Sequence, residues 1–523
     1  MKRILSLILC LAFLFLCGCA GSDKPYVPTG DALMDADDEG PVPTAPQEND
    51  LDSLVLAYYP DQSLNPYLCT DFTNRALFSL VYQGLFSIDR SYQPEPVLCK
   101  QYSVSADMRV YTFRLESATF SDGSALSAQD VVASLQAAKE SIMYKGRFLH
   151  IAEVALSGGD VVITLDTPME NLPLLLDIPI VKASQVAENA PLGTGPYVLT
   201  ATATNANLHR RSNWWSDASL QINVPTIALV SATSATQIRD EFEFSDLSLV
   251  CADPCSDRYV DYRCDYELWD CENGMFMYIS FCKDREDAIF SDPKLRAALT
   301  YAIDRDTIVN EFYRGFARST TLPASPLFPS YSQTLASRYT YDPMKFSKAV
   351  SDAGLTGATI TMLVNKEDSL RLRVAKVIAE AIEAGGLVVE LSELSGNAYL
   401  EALQYRTFDL HLSQTRLSPN MDLSAFFHTN GALSHGGVND VAAYALTLQA
   451  LENHGNYYTL YQTVMDEGLL CPVLTGSYAV YATRGLLTGL TPARDNIFYS
   501  STGRTMEQAL FEQQPAADQP QAS

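Results

Sequence analysis

YQGLFSIDRSYQPEPVLCKQYSVSADMRVYTFRLESATFSDGSALSAQDVVASL, residues 82–135, carries within one stretch the change of period that decides the fold class. Residues 110–116 (VYTFRLE) alternate apolar and polar side chains, the period of a half-buried strand. Asp122-Gly123 then predicts a turn, because glycine supplies the positive φ such corners need. Ser127 opens a helical pattern, and Asp130 at the third helical position makes a near capping box. The same alternation continues outward. Residues 54–60 (LVLAYYP) predict a strand and residues 75–86 (RALFSLVYQGLF) a helix. Ser291-Asp292-Pro293 caps a helix with proline at its first position, and Leu295, Ala298, Leu299, Ala302 and Ile303 lie on one face. The chain is mixed α/β without a short internal repeat.

At the amino end, Lys2 and Arg3 precede a short apolar core at residues 4–16 and then Leu16-Cys17-Gly18-Cys19. This run falls short of the roughly 20 residues of a spanning helix, so residues 1–18 are expected to be a removable export signal. The pattern resembles a bacterial lipobox, which implies cleavage before Cys19 and a lipid on that cysteine. Residues 19–50 are expected to be a tether, since Pro, Gly, Asp and Glu dominate and no apolar period repays ordering. Asp35 to Gly40 imitates the start of a calcium loop, but the twelfth position is Pro46, where a bidentate Glu is required. Residues 511–523 form a polar tail.

The 523 residues are 47% hydrophobic, enough for two or three packed domains. The formal charge is -26, and loss of Lys2 and Arg3 with the signal takes it to -28. Such a surface repels nucleic acid and the anionic face of a bilayer. Of eleven cysteines, eight lie beyond the signal and the lipid position: Cys69, Cys99, Cys251, Cys255, Cys264, Cys271, Cys282 and Cys471. An even number in an exported chain suggests disulfides or buried thiols, and the spacing from Cys251 to Cys271 lacks the close knuckles of a zinc site. Their pairing is open. GxSxG and HExxH are absent, and the six histidines are not ligand-spaced. Ser291-Asp292-Pro293-Lys294 has the SxxK spacing without its SDN and KTG partners, so it reads as a helix cap. His411, within an alternating run, reads as a polar strand position.

Three further blocks follow the first in order: GTGPYVL (193–199) with Trp214-Trp215, DPKLRAALTYAIDRDTIVNEFYRGFA (292–317), and YDPMKFSKAVSDAGL (341–355). Together, from about Leu51 to about Phe498, they resemble the family 5 extracytoplasmic solute-binding proteins, the oligopeptide and dipeptide receptors of ABC importers. The resemblance implies a two-lobed periplasmic-binding-protein-like α/β fold of the large three-subdomain type, with a two-segment hinge. Lobe I would comprise residues 51–277, including an inserted subdomain at about 80–170, and the return at 475–510. Lobe II would comprise residues 278–474. Crossing points are expected near residues 277–280 and 473–475. The resemblance further implies a monomer that delivers a small peptide-like or anionic ligand to a permease, touches the membrane only through its lipid, and uses no cofactor, resident metal or catalysis. A nickel-type metal-chelate receptor of the same fold and, more remotely, an exported hydrolase are the alternatives.

The chain departs from the resembled pattern at residues 408–427, FDLHLSQTRLSPNMDLSAFF. Peptide receptors of this kind place a tryptophan and then an aspartate here to grip the α-ammonium. This sequence offers Thr415-Arg416-Leu417 instead, and its acid, Asp422, falls farther along. A guanidinium at that place suits a carboxylate. Arg416 is therefore expected on a loop facing the ligand, with Leu417, Asn420, Phe276 and, from the opposite lobe, Asn65 and Tyr67. A surface ion pair with a neighbouring acid is the other reading of Arg416.

Overall fold

The computed structural model describes residues 53–510, apart from 202–204, 255, 257–258, 286–287 and 488. The export signal, Cys19, the tether and the polar tail lie outside the described residues.

The strand expected at 54–60 is Leu54–Tyr58, flanked in parallel by Thr226–Ser231 and Leu249–Ala252. Among the described residues eleven strands form one sheet. Its order runs Val388–Leu394, Thr359–Asn365, Leu410–Arg416, Tyr266–Phe281, Leu470–Thr483, Leu249–Ala252, Leu54–Tyr58, Thr226–Ser231, Ala206–Arg210, Tyr197–Ala201. Ala317–Ser319 pairs with Leu470–Thr483 off this path. The two long central strands, Tyr266–Phe281 and Leu470–Thr483, run antiparallel and contribute to four buried cores, two of which sit on successive parts of the pair. Cys271 and Val480 belong to a core built with Leu54, Phe86, Phe113 and Ile227. Farther along the same strands, Met277 and Val473 belong to a second core with Leu295, Ile360, Val374 and Leu412. Apolar burial thus collects on two sides of one strand pair, which is the physical basis of a two-lobed α/β fold. The segments expected to cross lie opposite one another, with Met277 facing Leu474.

The stretch that opens the analysis folds as read at its centre. Val110–Leu115 is an inner strand of a four-stranded antiparallel sheet with Cys99–Val104, Asp160–Leu165 and Ile151–Ser157. Gly123 has φ +84°, and its N–H donates to the Phe120 carbonyl at 2.9 Å. Helix Ala128–Glu140 starts at Ser127, whose N–H donates to Asp130 at 2.9 Å.

The helix expected over 75–86 is not formed. Two single turns, Phe72–Arg75 and Phe78–Val81, are followed by extended backbone at Tyr82. Phe86 then begins a strand, and its N–H donates to the Leu176 carbonyl at 3.2 Å. A long-range backbone partner outweighs the local apolar period. Backbone proximity also explains Gly195, where a Cβ would lie 2.6 Å from the Leu80 carbonyl oxygen.

Of the two readings of the cysteines, disulfides or buried thiols, the described residues show the second. Cys69, Cys99, Cys251, Cys264, Cys271, Cys282 and Cys471 are free thiols, and all but the half-buried Cys264 are buried. Cys255 lies outside the described residues. Cys251 faces Val480 and Cys271 faces Tyr478 from opposite sides of the strand Leu470–Thr483. A whole strand separates them and their partners are two residues apart along it, which places their Cα atoms more than about 9 Å apart, beyond disulfide reach.

A charged cavity beside the central strands

Arg75 closes the first helical turn after the strand Leu54–Tyr58, and Arg147 sits in the turn Lys145–Phe148 after the helix Ala128–Glu140. Arg494 and Asp495 follow the last long strand. These distant segments meet on a cavity of about 580 Å³, whose wall also includes Asp177 and Asn496. Arg147 grips Asp177, its second nitrogen at 3.5 Å. Arg75 stands 3.7 Å from Asp495. Arg494 donates to the Tyr92 hydroxyl at 3.2 Å, which donates onward to Glu272 at 2.9 Å, and its other arm donates to the Leu417 carbonyl. Gly274, at φ +71°, makes room for this guanidinium, because a Cβ there would lie 2.5 Å from an Arg494 nitrogen. Burial, then Glu272, pushes the Tyr92 hydroxyl well above its ordinary pKa, which keeps it a neutral donor.

Arg416 does not line the cavity but pairs with Asp495 of its wall. It is the last residue of the strand Leu410–Arg416, opposite Met275, and not a loop residue as expected; strand pairing persists through it. Burial first, then the Arg75 and Arg494 guanidiniums, pull its pKa down. A guanidinium starts so high that it stays charged, and a quarter of its side chain remains exposed. Burial likewise brings Arg147 to about 9.

Of the other residues expected here, Leu417 is buried and offers its carbonyl to Arg494. Asn420 is buried, with its carbonyl accepting from the Tyr457 hydroxyl and its amide against Met169 Sδ at 3.7 Å. Phe276 is buried and stacked on Tyr278 at 5.5 Å. Asn65 donates to the Val186 and Glu188 carbonyls at 2.9 and 2.7 Å, and the Tyr67 hydroxyl donates to the Pro179 carbonyl at 2.7 Å. Pro179 belongs to the cavity wall, so Tyr67 supports that wall from behind. Sequence reasoning missed Arg75, Arg147, Asp177, Arg494 and Asp495. The one local signal was a charge inside an apolar run, as at Arg75. Among the described residues no group of three or more His, Cys, Asp or Glu side chains could hold a metal ion.

A second polar contact joins the inserted sheet to the segment after Arg416. His150 is buried, with Nδ1 3.2 Å from Asp166 and Nε2 3.0 Å from the Ser424 hydroxyl and 3.4 Å from Asp422. Burial lowers its pKa, but Asp422 and then Asp166 outweigh burial, so the value rises above 6.5. A raised histidine contributes stability that is complete below the unfolded value and fades as pH climbs through the folded one. His150→Gln should therefore cost about 1.5–3 kcal/mol at pH 5.5 and progressively less towards pH 8.5. Denaturant unfolding across that range checks it, and a gap that widens with pH would sink the charged-histidine contact.

Two lobes on one strand pair, with a charged cavity beside them, define a solute-binding receptor. Residues 93–436 match the family described as Bacterial extracellular solute-binding proteins, family 5 Middle, and the chain belongs to this family. It is 25% identical over 358 residues to the Glutathione-binding protein GsiB of Escherichia coli (strain K12), covering 64% of this chain and 67% of that protein. Its fold is similar to that of the ABC transporter substrate binding protein CtaP from Listeria monocytogenes, with TM-score 0.68, 18% identity, and 87% and 99% of the two chains covered. NikA from Brucella suis, in complex with Fe(III)-EDTA, shares it at TM-score 0.63 and 18% identity, with 84% and 98% covered. Family members are extracytoplasmic binding proteins of ABC importers. Among the described residues no helix is long and apolar enough to cross a membrane.

Proposed function

We propose that this protein is a lipid-anchored receptor that holds a small, peptide-like anionic ligand and delivers it to an ABC permease, as a monomer and without transforming it. In this reading lobe I comprises residues 51–277 and 475–510 and supplies the cavity wall, lobe II comprises residues 278–474 and meets it at the Arg416–Asp495 pair, and ligand held beside that junction stabilises the closed form. The observation that carries it is charge. In a chain of formal charge -26, the cavity wall carries four guanidiniums, Arg75, Arg147, Arg494 and Arg504, beside four carboxylates, Glu116, Asp177, Asp217 and Asp495, with Arg416 paired to Asp495 from outside the wall. Guanidiniums concentrated at a cavity wall in so acidic a chain suit a carboxylate-bearing solute. The glutathione named for the Escherichia coli relative is such a solute.

The test is mass spectrometry of whatever molecule leaves protein purified without denaturation, followed by its return to the apo protein. At one hundred times Kd the ligand should add about 2.7 kcal/mol of stability, seen as a raised Tm, and be recovered intact. Consumption of that ligand by pure protein, lost when one cavity residue is changed, would make the protein an enzyme instead.

A further inference from the structure

The inserted subdomain of lobe I meets lobe II along one seam. The Glu170 N–H donates to the Leu451 carbonyl at 2.8 Å, the Asn171 amide donates to the Tyr457 hydroxyl at 3.3 Å, and Tyr92 meets the Phe328 ring edge-on at 5.8 Å. Both sides share a buried core, with Ile88, Tyr92 and Leu174 beside Phe328, Leu417 and Tyr457. None of these contacts depends on a group that titrates between pH 5 and 8. The contact of His150 does. Its ring stands between carboxylates from opposite sides of the seam: Asp166, in the inserted subdomain, 3.2 Å from Nδ1, and Asp422, in lobe II, 3.4 Å from Nε2. The side chains of His150 and Asp422 are 6% and 7% exposed, whereas Asp166 is 58% exposed, so Asp422 is the charge that needs the imidazolium. The other oxygen of Asp422 accepts from the Ser424 N–H at 2.8 Å, and the Ser424 hydroxyl lies 3.0 Å from Nε2.

We infer that His150 is a proton-operated latch: the imidazolium clasps Asp422 across the seam and holds the lobes together in mildly acidic surroundings, and its deprotonation frees them. The inference takes the lobe division proposed above and adds a control of closure that touches no ligand. Its sign follows from desolvation. With a neutral ring, Asp422 is a buried carboxylate without a counter-charge, and parting of the lobes returns it to water. Parted from lobe II, His150 keeps only the exposed Asp166 and titrates near an ordinary histidine. In the closed form burial lowers its pKa, but Asp422 and then Asp166 outweigh burial and raise it. Closure is therefore favoured below the open-state value and lost as pH climbs through the closed-state one. The neighbouring groups do not reverse this. Tyr444, from the helix Val441–Glu452, and Tyr457 are raised by burial and stay neutral. Arg109 donates to the Asp166 carbonyl at 2.6 Å and keeps its charge throughout. Farther along, the His454 N–H donates to Glu170 at 3.2 Å, and burial pulls the pKa of that ring down, away from the range in which His150 responds.

Small-angle X-ray scattering of the mature chain, without lipid and freed of ligand by dialysis from denaturant, reads the separation of the lobes. Between pH 5.5 and 8.5 the radius of gyration should rise, with its midpoint above 6.5. His150→Gln leaves Asp422 without a cation and should give the larger radius at both ends. Asp422→Asn leaves no buried charge to neutralise and should give the smaller radius at both. Circular dichroism checks the fold of each variant. A parent radius that does not change with pH, a variant that follows pH as the parent does, or two variants that move the radius the same way would overturn the latch. Each of these leaves the receptor reading standing, because the molecule recovered from native protein tests that separately.

Discussion

Arg416→Ala should weaken binding of the molecule recovered from native protein by about 30-fold or more. Arg416 closes the strand Leu410–Arg416 and pairs with Asp495, which also faces Arg75 at 3.7 Å. Truncation leaves Asp495 partly buried with a single, open partner, and losing one side of such a pair costs roughly 2–5 kcal/mol. It also removes a positive charge from beside the cavity. Arg416→Lys should recover part of the loss, because an ammonium supplies charge without the planar fork. Calorimetry on both variants decides the matter. Unchanged affinity in Arg416→Ala would reduce the contact with Asp495 to an ion pair with no bearing on the ligand.

Cys19→Ala should abolish lipid labelling altogether and leave the protein unprocessed or shed from the membrane. The argument is one of sequence. The apolar core at residues 4–16 is too short to span a bilayer, so retention after cleavage depends on a modified thiol. Metabolic labelling with a fatty acid, followed by membrane fractionation, reads the result. Label that persists in Cys19→Ala would remove the lipoprotein reading, whereas the solute-binding fold would be unaffected.

Local signals were reliable where local chemistry decides the backbone. The Asp122-Gly123 turn, the start of the helix at Ser127 and the proline-led helix at Pro293 are each settled by a few neighbouring side chains, and each stands where the residues predict it. The apolar run at 75–86 shows the limit. Its period is helical, but the Leu176 carbonyl draws the Phe86 N–H into another pairing. The cysteines show the same limit, since their number suggested bridges while strand order keeps Cys251 and Cys271 apart.

The sequence alone determined the α/β class and the family, and it set the expectation of an export signal and of an arginine where a peptide receptor would place an acid. These are properties of short segments read in order, and order survives without coordinates. Tertiary structure alone decided the site. Arg75, Arg147, Arg416 and Arg494 are separated along the chain by stretches of about 70 to 270 residues, and only the folded chain brings three of them to one cavity wall and Arg416 onto its Asp495. The strength of a charge pair depends on separation and burial. Neither is written in any one segment, so the partners of Asp495 became visible only once the chain was folded.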